Sequence, residues 1–144
     1  MVGQASVALA LSVAFLTASG TQASRDEVRC TYSRRQVCTR SGCEANPVGQ
    51  AFLVIPALAR IRAAMLDGRP VDLRRCDGRG CTPVTTMVSE SGDFLILSAP
   101  RSGYLFKVAT VSETLSGLRA GEFVEVATQI LTTYVGFGRC QVTG

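Results

Sequence analysis

The chain has no histidine, no tryptophan and a single lysine, Lys107, and aromatic residues make up only 6% of its 144 positions. Without an imidazole, Ser-His and Cys-His nucleophile activation and His-ligated catalytic zinc are excluded. A nucleophilic hydroxyl would need Lys107, a carboxylate or the amino terminus as its base. Lys107 lies between Phe106 and Val108 in an alternating run, the pattern of a solvent-facing strand residue. Nucleic-acid binding calls for a dense basic stripe with interleaved aromatics, so no nucleic-acid partner is expected. No run after residue 23 approaches the ~18 apolar residues of a membrane helix, so no membrane span is expected beyond that point.

What is present points to one folded, exported domain. Hydrophobic residues make up 47% and charged residues 18%, with a mean hydropathy of +0.24, a balance that excludes a disordered chain. A length of 144 residues suits a single core. Val7 to Leu16 is an apolar run too short to span a bilayer, and Thr21-Gln22-Ala23 ahead of Ser24 has the small-x-small form of a cleavage site. Residues 1–23 therefore read as a signal peptide, although Met1 to Ser6 carry no Lys or Arg, and 24–144 as one β-rich domain. The expected location is periplasmic or extracellular.

Every charged side chain follows residue 23, so the formal net charge of +4 belongs to the domain. Arginine supplies all the positive charge except Lys107, a usage read as the composition of a GC-rich, bacterial genome in preference to selection for bidentate anion recognition. Between Arg60 and Cys81, six arginines face three aspartates.

Period-two alternation dominates the middle of the chain. Val84, Thr86 and Val88 share one face of a run. Glu90 to Asp93 form a turn, and Phe94 and Ile96 share a face of the next run. After a second turn at Pro100 to Gly103, Tyr104, Phe106 and Val108 share a face. A loop covers Val111 to Gly121, and two further strands are expected over Glu122–Leu131 and Thr132–Arg139. In the first of these, Val124, Val126, Thr128 and Ile130 form the face expected to look inward. Upstream, Gln50 to Ile55 reads as a buried strand ended by Pro56. The alanine-rich piece Pro56–Gly68 reads as a helix with Leu58, Ile61 and Met65 on one face, in preference to a hairpin through Asp67-Gly68. Val71–Cys76 is a further strand. The expected fold is mainly β: a small antiparallel β-barrel or sandwich of seven to eight strands with one short helix, stabilised by disulfides. A layered α+β sheet is the alternative.

Six cysteines in an exported chain imply three disulfides. Cys38–Cys43 and Cys76–Cys81 each enclose four residues with glycine last, and each is expected to close its own loop. Cys30 and Cys140 remain to join the two ends of the domain. The rival, a zinc site with Cys38, Cys43, Cys76 and Cys81 as its four ligands, suffers from long spacing and an oxidising compartment. No metal and no cofactor are expected.

Carboxylate pairs offer no catalytic site: Glu122 and Glu125 fall on opposite faces of a strand, and Asp72 and Asp77 flank arginines that would neutralise them. No catalytic residue is assigned and no enzyme is expected. Gly136-Phe137-Gly138 has no following helix for a phosphate loop and reads as relief of crowding in a terminal strand. The segment Arg74-Arg75-Cys76-Asp77-Gly78-Arg79-Gly80-Cys81 offers Arg74, Arg75 and Arg79 on a bridged loop. These are the candidate residues for binding an anionic partner, a protein or another envelope component.

Arg75 to Cys81 and the tail Thr133 to Cys140 resemble segments of small exported bacterial proteins of unknown function. The architecture is similar to that of periplasmic β-barrel lysozyme inhibitors, though their motif has no residue-by-residue match here and no inhibitory residue is carried over. The leading expectation is a non-enzymatic binding or structural module of the envelope. A small-ligand carrier with an apolar barrel interior is the alternative, and the two differ in whether the centre is filled by side chains such as Phe94, Ile96, Tyr104 and Phe106 or hollow.

Overall fold

The structure is a computed structural model, and it describes residues 27–110 and 121–142. The proposed signal peptide and most of the Val111–Gly121 loop lie outside the described residues. Among the described residues, nine strands run in the order β1 (Glu27–Thr39), β2 (Gly42–Ala45), β3 (Phe52–Pro56), β4 (Val71–Asp77), β5 (Gly80–Ser91), β6 (Phe94–Ala99), β7 (Tyr104–Ala109), β8 (Glu122–Gln129) and β9 (Thr132–Val142). A helix, α1 (Leu58–Leu66), joins β3 to β4, and a 3-10 turn covers Pro100–Ser102.

Each strand pairs antiparallel with the next around the sheet, and β9 pairs back onto β1, so the sheet closes into an eight-stranded barrel. The short β2 is an appendage. It pairs with the second half of β1, while β3 pairs with the first half, so the two form one strand interrupted by residues 46–51. Closure removes the long unpaired edges that would recruit another chain. Because strand direction alternates, the β1–β2, β4–β5, β6–β7 and β8–β9 hairpins all lie at one end, the hairpin end. The β3–β4, β5–β6 and β7–β8 links lie at the other.

The helix closes that second end. It follows Pro56, stops at Gly68 in the left-handed region (φ 63°) and buries Ile61 and Ala64 in the hydrophobic cluster that also holds Val28, Ile55, Val71 and Val108, with Leu58 and Met65 packed at the margin. Helix, and not the competing hairpin, is what this segment forms. The barrel centre is filled by Leu53, Ile55, Leu73, Leu95, Leu97, Phe106, Val108 and Phe123, each fully buried. Phe123 packs on Phe106 with ring centroids 5.3 Å apart.

Two faces are the reverse of the sequence expectation. In β6, Leu95 and Leu97 point inward, whereas Phe94 and Ile96 lie on the outer, half-buried face, where Lys107 Nζ sits 3.8 Å from the Phe94 ring centre. Both alternating sets of β6 are apolar, so its own pattern carries no phase. Pairing of Leu97 with Phe106 and of Leu95 with Val108 decides it. In β8, Phe123 and Glu125 are buried, not Val124, Val126, Thr128 and Ile130, and Ile130 is wholly exposed in the β8–β9 turn. A carboxylate in the barrel is tolerable only with partners on other strands, which one strand's alternation cannot reveal.

The disulfides are Cys30–Cys140, Cys38–Cys43 and Cys76–Cys81, the pairing expected from the spacing. Each joins residues directly opposite in the sheet: β1 to β9, β1 to β2 and β4 to β5. The 30–140 bridge therefore locks the seam at which the barrel closes. With all six sulfurs paired, none is free to hold zinc.

Candidate functional site at the mouth of the barrel

Among the described residues no helix covers the hairpin end, and a polar cluster lies beneath it. Strand β1 carries a bulge between Tyr32 and Arg34. The extra residue, Ser33, whose hydroxyl donates to the Phe137 carbonyl, puts Tyr32 and Arg35 on the same interior face, although they are three positions apart. Tyr32 stands opposite Gly138 and Arg35 opposite Gly136. These glycines make room for the tyrosine: a Cβ on Gly136 would come 2.5 Å from Tyr32 Cε1, and one on Gly138 would meet the Thr31 carbonyl and Phe123. Crowding, as read from the sequence, is their role.

Glu125, from β8, is 3% exposed and is the hub of the cluster. Tyr32 donates its hydroxyl proton to Glu125 Oε2 at 2.5 Å, and Arg75 Nε lies 2.9 Å from Oε1. The latter contact is an ion pair without hydrogen-bond alignment, so Arg75 Nε and Glu125 Oε1 are buried with no aligned partner. Tyr104, 5% exposed, places its hydroxyl in the same cluster, likewise buried and without an aligned hydrogen bond. Tyr32 also packs edge-on against Phe123, with centroids 5.5 Å apart, and the Arg35 guanidinium lies 5.0 Å from the Tyr32 ring centre.

Burial and the neighbouring Glu125 charge push both tyrosine hydroxyls far above the usual phenol range, so they remain protonated donors. Burial acts against the Arg75 charge, but Glu125 and the two tyrosines outweigh it and hold the guanidinium even more firmly protonated than usual.

Above the cluster opens a cleft of about 360 Å³ whose lining includes Tyr32, Arg35, Phe52, Arg75, Asp77 and Thr82. Farther out, Arg40, Arg79 and Arg101 occupy three of the four hairpin tips and are exposed. The fourth tip presents Ile130 and Leu131, 100% and 75% exposed.

The three arginines expected to act together are placed apart. Arg74 faces outward, with Nη2 at 2.8 Å from both oxygens of Glu27. Arg75, the next residue, points inward to Glu125, as strand alternation requires. Arg79 is at the exposed tip, where the N–H groups of Arg79 and Gly80 donate to Asp77 Oδ1. Asp77 thus caps its own loop, and Asp72 accepts from the Thr85 hydroxyl at 2.6 Å. Sequence reasoning missed Tyr32, Arg35, Tyr104 and Glu125. A usable signal was the inward phase of Val71-Leu73-Arg75, which aims a guanidinium into the barrel and demands an interior anion.

Among the described residues, no group of three or more His, Cys, Asp or Glu could hold a metal ion. The cluster holds no nucleophile set against a base. What it can do chemically is present fixed donors, the guanidiniums of Arg35 and Arg75 among them, at an opening. No protein-family model, curated protein or solved structure matches the chain.

Proposed function

We propose that the protein is an exported, non-enzymatic binding module that recognises an anionic partner, a protein or another envelope component, through the hairpin end of its barrel. The observation carrying this reading is the contrast between the two ends: one is plugged by α1, while the other is open, polar and ringed by Arg40, Arg79 and Arg101. The packed interior supports recognition at a surface over transport of an apolar ligand inside the barrel. Three disulfides are compatible with an oxidising periplasmic or extracellular environment. Exposed arginines favour electrostatic steering of an anionic surface, with a salt-sensitive association rate.

The test is capture from bacterial envelope extract on the immobilised, oxidised protein, compared with a variant carrying Arg40→Gln, Arg79→Gln and Arg101→Gln. All three side chains are exposed at turns, so the thermal transition should stay in place. The reading expects a captured species that is released by salt and lost in the variant. Equal capture by both proteins would overturn it.

A further inference from the structure

We infer that the mouth is a carboxylate-binding site, in which one acidic side chain or the free carboxyl terminus of a partner seats between Arg35 and Arg75. This rests on the reading of the hairpin end as the binding end, and it names the chemistry recognised there.

The cluster is already organised for such a guest. Arg75 has its Nε buried toward Glu125, and the rest of a side chain that is 35% exposed lines the cleft. Its rotamer is fixed from behind by Glu125, so little conformational freedom is left to lose on binding. Arg35 lies beside it, held over the Tyr32 ring, and has no ion-pair partner among the described residues. Tyr32 is committed to Glu125, while the buried Tyr104 hydroxyl has no aligned partner. Arg75 Nε and Glu125 Oε1 face each other at 2.9 Å, which leaves the Tyr104 hydroxyl without a hydrogen-bond partner; buried polar atoms in native proteins nearly always find one, so a ligand or water beneath the cleft would complete the network.

Charge selects the guest. Arg35 and Arg75 carry two positive charges against the two negative charges of Glu125 and Asp77, and Asp77 is turned to the backbone N–H groups of its own loop, so the guanidiniums are the groups that attract a guest. A monoanion can engage both guanidiniums with the least repulsion from the two carboxylates. A phosphate dianion would bring a second negative charge toward Glu125 and Asp77. The planar fork of a guanidinium also matches the two oxygens of a carboxylate.

The experiment is an NMR titration of the oxidised protein, observing the arginine Nε–H signals, with three tripeptides. One is acetyl-Ala-Glu-Ala-amide, with only a side-chain carboxylate. The second is acetyl-Ala-Ala-Ala with a free carboxyl terminus, and the third is acetyl-Ala-Gln-Ala-amide, with none. Saturable shifts at Arg35 and Arg75 are expected with one or both carboxylate peptides and not with the glutamine peptide, and the tighter of the two identifies the source. Arg35→Gln, which removes a half-exposed side chain and leaves the Arg75–Glu125 pair intact, should weaken binding at least about tenfold with an unchanged amide spectrum elsewhere. Equal shifts with the glutamine peptide, no saturable shift at all, undiminished binding by Arg35→Gln, or tighter binding of inorganic phosphate would each overturn the inference. Arginine-dependent envelope capture without carboxylate binding would defeat this inference alone and leave the proposed function standing.

Discussion

Removing the Cys30–Cys140 bridge, by Cys30→Ala with Cys140→Ala, should destabilise the barrel more than removing either local bridge. The enclosed loop spans a sequence separation of 110 residues, against 5 for each of the others. A disulfide restricts the unfolded chain, and for a loop on the order of 100 residues the chain-entropy relation gives about 4.7 kcal/mol, whereas the short loops give about 2 kcal/mol. At roughly 3–6 °C per kcal/mol for a domain of this size, the long-range variant should melt about 15–25 °C lower. Cys30 is fully buried, so the alanine pair also leaves a small void, adding to the loss. In the native state β1 and β9 stay in register through ten residue pairs, so the effect should be visible as easier unfolding of an otherwise native barrel. The assay is thermal unfolding by circular dichroism of the three double variants side by side. The reasoning is refuted if either local variant melts lower than the 30–140 variant, or if the latter stays within a few degrees of the parent.

Other consequences follow from the mouth. The hydroxyls of Tyr32 and Tyr104 ionise far more reluctantly folded than unfolded, so the stability they contribute is complete below pH about 10 and is lost as pH rises toward the folded values. Each should remove about 1.4 kcal/mol per pH unit above that point. Urea midpoints from pH 9 to 11, read beside phenolate absorbance, would contradict this if both residues ionised near pH 10 in the folded protein. Gly138→Ala drives a Cβ into the Thr31 carbonyl and to 2.8 Å from Phe123 Cε1, and should cost about 1–3 kcal/mol or more in denaturant unfolding. An unchanged midpoint would show that β1 and β9 can separate at no cost. Glu125→Gln keeps the shape but removes the charge facing Arg75. Because Arg75 is partly solvated, the expected loss is modest, about 1–2 kcal/mol, and Arg75→Gln in that background should add little, as a double-mutant cycle would measure.

Much of the scaffold is legible in the sequence, and the reason differs by element. Two matched pairs of cysteines, each enclosing four residues with glycine last, mark two hairpin bridges, and elimination then leaves Cys30 and Cys140 for the closing seam. The β5 to β7 meander is visible because polar turns separate alternating runs. The phase of β6 is not legible, because Leu95 and Leu97 alternate with the equally apolar Phe94 and Ile96. For β8, averaging hydropathy chooses the valine face, whereas the structure buries Glu125 because Arg75 and Tyr32 meet it from strands 50 and 93 positions away. The mouth depends on long-range register and on a bulge at Ser33, neither of which leaves a local signature. Arg74 and Arg75 look like one basic pair in sequence, yet they serve opposite faces of β4.

The claim most exposed to test is that the polar cluster at the mouth exists for recognition and not for stability. A quadruple variant, Tyr32→Phe, Arg75→Met, Tyr104→Phe and Glu125→Leu, removes the cluster's ion pair and both buried hydroxyls together, so none of these groups is left without its partner. Replacing a buried pair by apolar side chains of similar size is often neutral or stabilising. Measured together, thermal unfolding and carboxylate-peptide binding should show a melting temperature equal to or above the parent's, with binding abolished. A melting temperature many degrees lower, or binding that survives, would contradict the account.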